Sequence, residues 1–285
     1  MKIVKFLGGL GNQMFQYAFY KSLSINSKNV KSDITGFQTY SLHNGFELEN
    51  IFNISMNNAN PFTINLYDKT YKTWHIRKLR RLLNLKRLYF EEREWSIYDE
   101  NTLKDSKKVF YWGYWQNEKY FKNIEEQIRN DFIFKNILDS RNHLICEKIK
   151  NTNSVSIHIR RGDYVNHPLF GDICNEDYYV KAIKHIQLKV DNPAYFIFSN
   201  DISWCKKHLK LLDATFIDWN IGKQNFIDMQ LMSYCKHNVI ANSSFSWWAA
   251  WLNNNENKMV FAPKKWRNDI NNTSIDILPE QWIKI

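Results

Sequence analysis

In the C-terminal half of the chain, short apolar runs alternate with helical patterns. The apolar runs predict strands over residues 155–159, 194–199, 214–218, 238–241 and 258–262. Apolar residues at helical spacing predict helices over 176–190, 203–212 and 225–236, and a last one from near Ser244 to 253. Asn175, followed by Glu176 and Asp177, has the chemistry of an N-cap with acids in the first turn. This β-α-β-α order predicts a parallel sheet covered by helices on both faces.

The N-terminal half is less regular. Residues 1–6 predict a strand, "GGLGN" (8–12) a glycine-rich turn and 13–24 a helix, the opening of an α/β unit. The spacing Gly8-Gly9-x-Gly11 is not G-x-G-x-x-G, so the turn alone is either a ligand contact or chain punctuation. Residues 36–61 are rich in Asn and lack a clean period. A basic amphipathic helix is predicted over 71–85. The stretch "KKVFYWGYWQNEKYF" (107–121) predicts a strand, a break at Gly113 and a helix running to 133. The change in regularity places a boundary between domains 1–150 and 151–285, in keeping with a length of 285 residues.

Composition narrows the class. With 44% hydrophobic and 16% aromatic residues there is material for substantial cores. The net charge of +10 points to anionic partners. The charge is uneven: residues 69–93 hold nine Lys/Arg against two Glu, a net +7. That segment is either a solvated helix or a surface for anionic lipid at the membrane periphery. Cys146, Cys174, Cys205 and Cys235 are far apart and form no C-x-x-C pair. They suggest neither a disulfide framework nor a zinc site, and a reducing cytoplasm is the expected location. The first residues lack a signal-peptide apolar region, and no run approaches the ~20 apolar residues of a membrane span. Nucleic acid is not an expected partner, because no recognition helix or RNA-type aromatic motif accompanies the charge.

Three polar clusters follow predicted C-terminal strands, where open α/β sheets bind ligands. They are "HIRRGD" (158–163), "SND" (199–201) and "NSSFSWW" (242–248). Arg160 and Arg161 are forks suited to a phosphate; alternatively they pair with Asp163 at the surface. Ser243, Ser244 and Ser246 lie at a helix start, where free N–H groups favour an anion; ordinary N-capping would account for one of them. Taken together these residues predict a diphosphate site built without metal, and no D-x-D motif occurs in the chain.

At these residues the chain resembles the alpha-1,2-fucosyltransferase family, glycosyltransferase family 11. The resemblance rests on "GGLGNQMFQYAF" (8–19), "HNGFELENIF" (43–52), "GYWQNEKYF" (113–121), "HIRRGDYV" (158–165), "FSND" (198–201) and "NSSFSWWAAWLN" (242–253). These occur in the family's order over most of the length. Asn200 stands where the family more often has aspartate.

The resemblance implies an α/β, GT-B-type architecture, with two Rossmann-like domains facing across a cleft. The second domain would bind GDP-fucose and the first would shape the acceptor site. The implied reaction is inverting and needs no metal or other cofactor. It moves L-fucose from GDP-β-L-fucose to a glycan hydroxyl, usually O2 of a terminal β-galactoside, on an oligosaccharide or lipid-linked glycan in surface-glycan or O-antigen synthesis. By position, Arg160 would bind the β-phosphate, with Arg161 beside it. His158 would meet the nucleoside side, and Asp228 would accept from guanine. Asn242, Ser243, Ser244, Phe245 and Ser246 would line the phosphates, and Asn12, with Gly9 and Gly11, would approach the reacting centre. Asp163 is either the general base or a group orienting the arginines; Asp172 and His167 are further base candidates on the same loop. The rival readings are a non-catalytic sugar-nucleotide or glycan-binding module, and fucosyl transfer to a different sugar or position.

Overall fold

Each half of the chain builds a wholly parallel sheet of its own in the computed structural model, which describes residues 1–39, 43–92, 97–211, 213–269 and 276–285. The N-terminal unit, Met1–Lys135, carries strands β1 (Lys2–Lys5), β2 (Val30–Asp33), β3 (Tyr89–Glu91) and β4 (Phe110–Trp112), in the order β2-β1-β4-β3. Its helices are α1 (Leu10–Asn26), α2 (Leu48–Ile51), α3 (Pro61–Tyr67), α4 (Trp74–Leu82), α5 (Asn101–Lys104) and α6 (Glu125–Asp131). Helix α1 is buried on nearly every face. Phe19 stacks on the fully buried Trp115 with ring centroids 4.1 Å apart, which explains the high aromatic content of this half.

Several elements here depart from expectation. Helix α1 starts at Leu10 with Gly9 as its N-cap, so Gly11 and Asn12 are helical rather than part of the glycine turn. Helix α4 ends at Leu82, and Asn84 at φ 51° turns the chain away. The helix predicted to reach residue 133 is broken into two 3₁₀ turns before α6. Arg93, the last residue of the basic segment, and Leu212, the end of the helix predicted over 203–212, lie outside the described residues.

The C-terminal unit, Asn136–Ile285, holds the helices α7 (Ser140–Lys150), α8 (Glu176–Gln187), α9 (Ile202–His208), α10 (Phe226–Tyr234) and α11 (Ser244–Leu252). Its strands are β5 (Asn153–Ile159), β6 (Pro193–Ser199), β7 (Ala214–Ile217), β8 (His237–Val239), β9 (Val260–Ala262) and β10 (Ile283–Lys284), in the order β10-β9-β8-β5-β6-β7. The chain divides at Lys135/Asn136 rather than at 150/151, because α7 packs on α10 and β5 and so belongs to the C-terminal core.

Strand β5 shows why the apolar alternation reads as it does. Val155, Ile157 and Ile159 enter one core layer with Tyr179, Ile186 and Val239. Ser154 and Ser156 on the other face are buried too, and their hydroxyls are satisfied. Lys236 N–H donates to Ser154 at 3.1 Å, and the Asn238 amide donates to Ser156 at 2.7 Å.

Candidate active site

Strand order fixes where a ligand can enter the C-terminal unit. From β5 the chain runs outward through β6 and β7 on one side and returns to β8, β9 and β10 on the other. The topological switch point therefore lies between β5 and β8, and the crevice opens at their carboxyl ends. "RRGD" follows β5 there and "NSSF" follows β8. The two loops touch: the His158 and Phe245 rings lie 5.7 Å apart, and the Tyr164 hydroxyl donates to the Asn242 carbonyl at 3.4 Å.

The structure separates the two arginines. Arg160 meets Asp163 through two contacts, Nε to Oδ1 at 2.9 Å and Nη2 to Oδ2 at 3.0 Å. Both side chains are substantially exposed, so the pair is worth about 0–1 kcal/mol and a phosphate can compete for the guanidinium. Arg161 turns away to α9: its Nε donates to Asp201 at 3.1 Å and its guanidinium lies over the Trp204 ring at 4.3 Å. Asp201 also caps α9 by accepting from Trp204 N–H, and these bonds hold its carboxyl below the usual range. The expected arginine pair thus becomes one candidate phosphate ligand and one anchor. Asn200 belongs to the same anchor. Its Oδ1 accepts from Arg161 N–H at 3.0 Å, and its amide fills the space a side chain at Gly162 would need.

His158 is buried beside Arg160. Burial, reinforced by the Arg160 charge, pushes its ring down to about 3, so it is neutral at physiological pH. Its Nδ1 is buried and has no hydrogen-bond partner among the described residues, a cost of about 1–3 kcal/mol if nothing binds there.

At the start of α11 the residues divide. Ser243 is the N-cap and accepts from Phe245 N–H at 3.4 Å. Ser244 and Phe245 are half-buried at the helix start. Ser246 was expected to face phosphate, but it is fully buried and donates to the Ala241 and Ser243 carbonyls at 3.5 and 3.4 Å. Asn242 is likewise a scaffold. Its buried amide donates to the Phe170 and Trp266 carbonyls at 3.3 and 3.2 Å, holding the loop after β5 in place. On that loop His167 Nδ1 accepts from Leu169 N–H at 3.1 Å, and Asp172 is exposed at φ 57°.

Asp228 lies in the first turn of α10, which packs against α11. The Asn220 amide donates to its Oδ1 at 2.7 Å, and the Asn142 and Asn220 side chains bond each other in turn. Burial pushes the carboxyl up to about 7, against the opposing Asn220 bond. One carboxylate oxygen is thus held by an amide network. The sequence pattern gave no sign of Asn142 or Asn220, because asparagines in loops and helix starts are common.

The N-terminal unit has its own switch point, between β1 and β4. Gly8 takes φ +80°, and the start of α1 places Asn12 at the carboxyl end of β1. Gln116, after β4, donates to Asn12 Oδ1 at 2.7 Å. Gly9 packs against the His43 ring, where an added Cβ would come within 3.3 Å, and Gly11 is buried within α1. Sequence reasoning missed Glu92. Its carboxylate accepts from Tyr114 N–H at 2.6 Å and from Trp115 N–H at 3.2 Å, and burial pushes it up to about 7. It grips a turn in which Trp115 is held at φ 56°, next to Gln116.

Comparison with known proteins decides the family. The profile described as Glycosyl transferase family 11 matches residues 2–285. The chain belongs to glycosyl transferase family 11. This family-11 chain is 38% identical to an alpha-1,2-colitosyltransferase of Escherichia coli, over 99% of its own length and 98% of that protein. It is 31% identical to the O-antigen biosynthesis glycosyltransferase WbnK of Escherichia coli, with 98% of each chain covered. Among solved structures it is similar in fold to the alpha-1,6-fucosyltransferase NodZ soaked with GDP-fucose. That match has a TM-score of 0.55 at 12% identity, covering 88% of this chain and 92% of that one. The family-11 chain is a glycosyltransferase of the alpha-1,2-fucosyltransferase type, and its fold class is α/β, GT-B-type.

Proposed function

We propose that the protein transfers L-fucose from GDP-β-L-fucose to O2 of a terminal β-galactoside, with inversion and without a metal, in surface-glycan or O-antigen synthesis. The observation that carries this reading is the switch-point crevice, with Arg160 on one lip and the start of α11 on the other. In the reaction the acceptor oxygen bonds to C1 of the sugar as the bond from C1 to the β-phosphate oxygen breaks. GDP leaves with the electron pair, and the hydroxyl proton passes late to solvent. Arg160, held by Asp163 through Nε and one Nη2 N–H, turns its remaining N–H groups to the β-phosphate and meets the charge that develops there. The N–H groups at the start of α11, with Ser243 and Ser244, supply a second set of donors.

His158, neutral and with an unpaired ring nitrogen, suits the nucleoside side of the donor. Asp228 suits guanine, whose N1–H and exocyclic amine are two donors on one edge. Asp163 is assigned to orienting Arg160, because its carboxylate already lies against that guanidinium. Asn12 and Gln116, with Gly9 and Gly11, are assigned to the acceptor side, where a lipid-linked glycan would place the enzyme at the inner face of the cytoplasmic membrane.

Calorimetry with GDP and ADP, followed by turnover of GDP-fucose on galactose-ended glycans, tests the reading. GDP-selective binding with fucosyl transfer is expected. GDP binding without turnover on any acceptor would make the chain a sugar-nucleotide-binding module. A second donor has specific support in the 38% identical colitosyltransferase. Colitose is 3-deoxy-L-fucose, so the two donors differ only in the group at C3.

A further inference from the structure

Helix α4 buries one arginine and exposes its tryptophan. Its inward residues are Ile76 and Arg80, and Arg80 is only 2% exposed. The Arg80 guanidinium is spent on backbone: it donates to the carbonyls of Asn65 at 2.7 Å, Leu66 at 3.0 Å and Tyr71 at 3.2 Å, which fixes α4 to α3. The outward face runs Trp74, Arg77, Lys78 and Arg81, the i, i+3, i+4, i+7 spacing of one helix stripe. Trp74 is 73% exposed, and Leu82 and Leu83 at the helix end are 80% and 51% exposed. On this helix a tryptophan projects among exposed cations while one arginine, Arg80, is buried.

Charge completes the picture. Arg77, Lys78 and Arg81, with Lys86 and Arg87 just beyond, are exposed and form no ion pair among the described residues. Among the described acids nearby, Asp68 is paired with Lys5, Glu91 is paired with Lys69, and Glu92 is turned to the Tyr114 and Trp115 backbone. The surface is cationic, with apolar side chains standing out of it. That combination fits an anionic lipid surface, where basic residues meet headgroups and Trp and Leu enter the acyl boundary.

We propose that α4 is a membrane-docking element that seats this enzyme on anionic bilayers through Trp74, Leu82 and Leu83 within a ring of Arg77, Lys78 and Arg81. The inference does not depend on which donor the C-terminal unit takes, so its failure would leave the GDP-fucose reading standing.

The test is sedimentation of the full-length protein with vesicles of phosphatidylcholine alone and of phosphatidylcholine mixed with phosphatidylglycerol. The protein should pellet only with the anionic vesicles, and added salt should release it. Each basic residue at such a surface is worth about fivefold in partition, so Arg77→Glu with Arg81→Glu should weaken binding by at least roughly thirtyfold. Trp74→Ala should weaken binding while keeping its salt dependence. All three positions are exposed, so the variants should melt and turn over a soluble acceptor like wild type. Wild-type partition by the Arg77→Glu/Arg81→Glu protein, or equal pelleting on neutral vesicles, would overturn the proposal. So would binding to RNA or an acidic protein without binding to anionic vesicles.

Discussion

The Gln116 amide donates to Asn12 Oδ1 at 2.7 Å, joining the turn after β4 to the helix that starts after β1. These two strands flank the switch point of the N-terminal sheet, so the bond fixes an amide at that unit's ligand edge. Two supports hold it in place. Glu92 grips the strained turn before Gln116, and Gly8 at φ +80° leaves room for the Asn12 amide.

A Cβ at residue 8 would lie 2.6 Å from Asn12 Nδ2, in a backbone region that costs L residues about 1–2 kcal/mol. Gly8→Ala should therefore lower stability by about that much and swing Asn12 off Gln116. The transfer rate should fall about tenfold or more, with GDP affinity unchanged, because the GDP site is assigned to the other unit. Urea unfolding, initial rates and calorimetry on one preparation check this. An equal loss of GDP affinity would remove Asn12 from the acceptor side.

Arg160→Ala should fold normally and lose about 10²–10³ in transfer rate, the usual effect of removing one group that stabilises developing charge. Asp163→Asn leaves Arg160 present but less firmly oriented. It should cost less, about tenfold, and leave the shape of the pH–rate profile unchanged. Loss of the acid-side limb of the pH–rate profile in Asp163→Asn would instead make Asp163 the general base.

Asp228 gives a pH dependence with a definite sign. Its folded value of about 7 lies above the roughly 4 of an unfolded aspartate. The fold therefore favours the protonated form, and this site's contribution to stability falls as pH rises from about 4 to 7. Guanine's two donors need the ionised form, so GDP affinity should weaken by up to about tenfold per pH unit below 7. Asp228→Asn should bind GDP more weakly at pH 8 and lack this dependence. Subtracting its profile from that of wild type removes the titration of the phosphate itself. His158, held near 3, should add no step. A wild-type profile that matches Asp228→Asn would contradict the guanine assignment.

The C-terminal sheet was legible because its inner strands are buried on both faces and its strands are separated by helices, so β5 to β9 appear in the sequence within a few residues. Strands β2 and β3 were not legible: β2 (VKSD) has a single apolar residue, and β3 (YFE) lies inside the charged stretch 86–92. Strand β10 has only two residues. The site was legible as loops but not as side-chain directions. "HIRRGD" and "NSSFS" were read as ligand loops, and the structure joins them. No spacing rule distinguishes Arg160, which faces Asp163, from Arg161, which is drawn back to Asp201 and Trp204. Nor does any show that the Ser246 and Asn242 side chains turn to backbone carbonyls supplied by packing. Glu92 was hidden because its partners lie more than twenty residues away in the chain.

The most direct test of the central claim is a donor comparison. The purified protein would be incubated with GDP-fucose and, separately, with a nucleotide-activated colitose, against an array of β-galactoside-ended glycans, with GDP release and product linkage both read. The account predicts fucose transferred to O2 of galactose in α linkage, with GDP released one for one and activity lost in Arg160→Ala. Transfer of colitose with none of fucose would contradict the donor assignment, and GDP-fucose left intact on every acceptor would contradict the fucosyltransferase reading altogether.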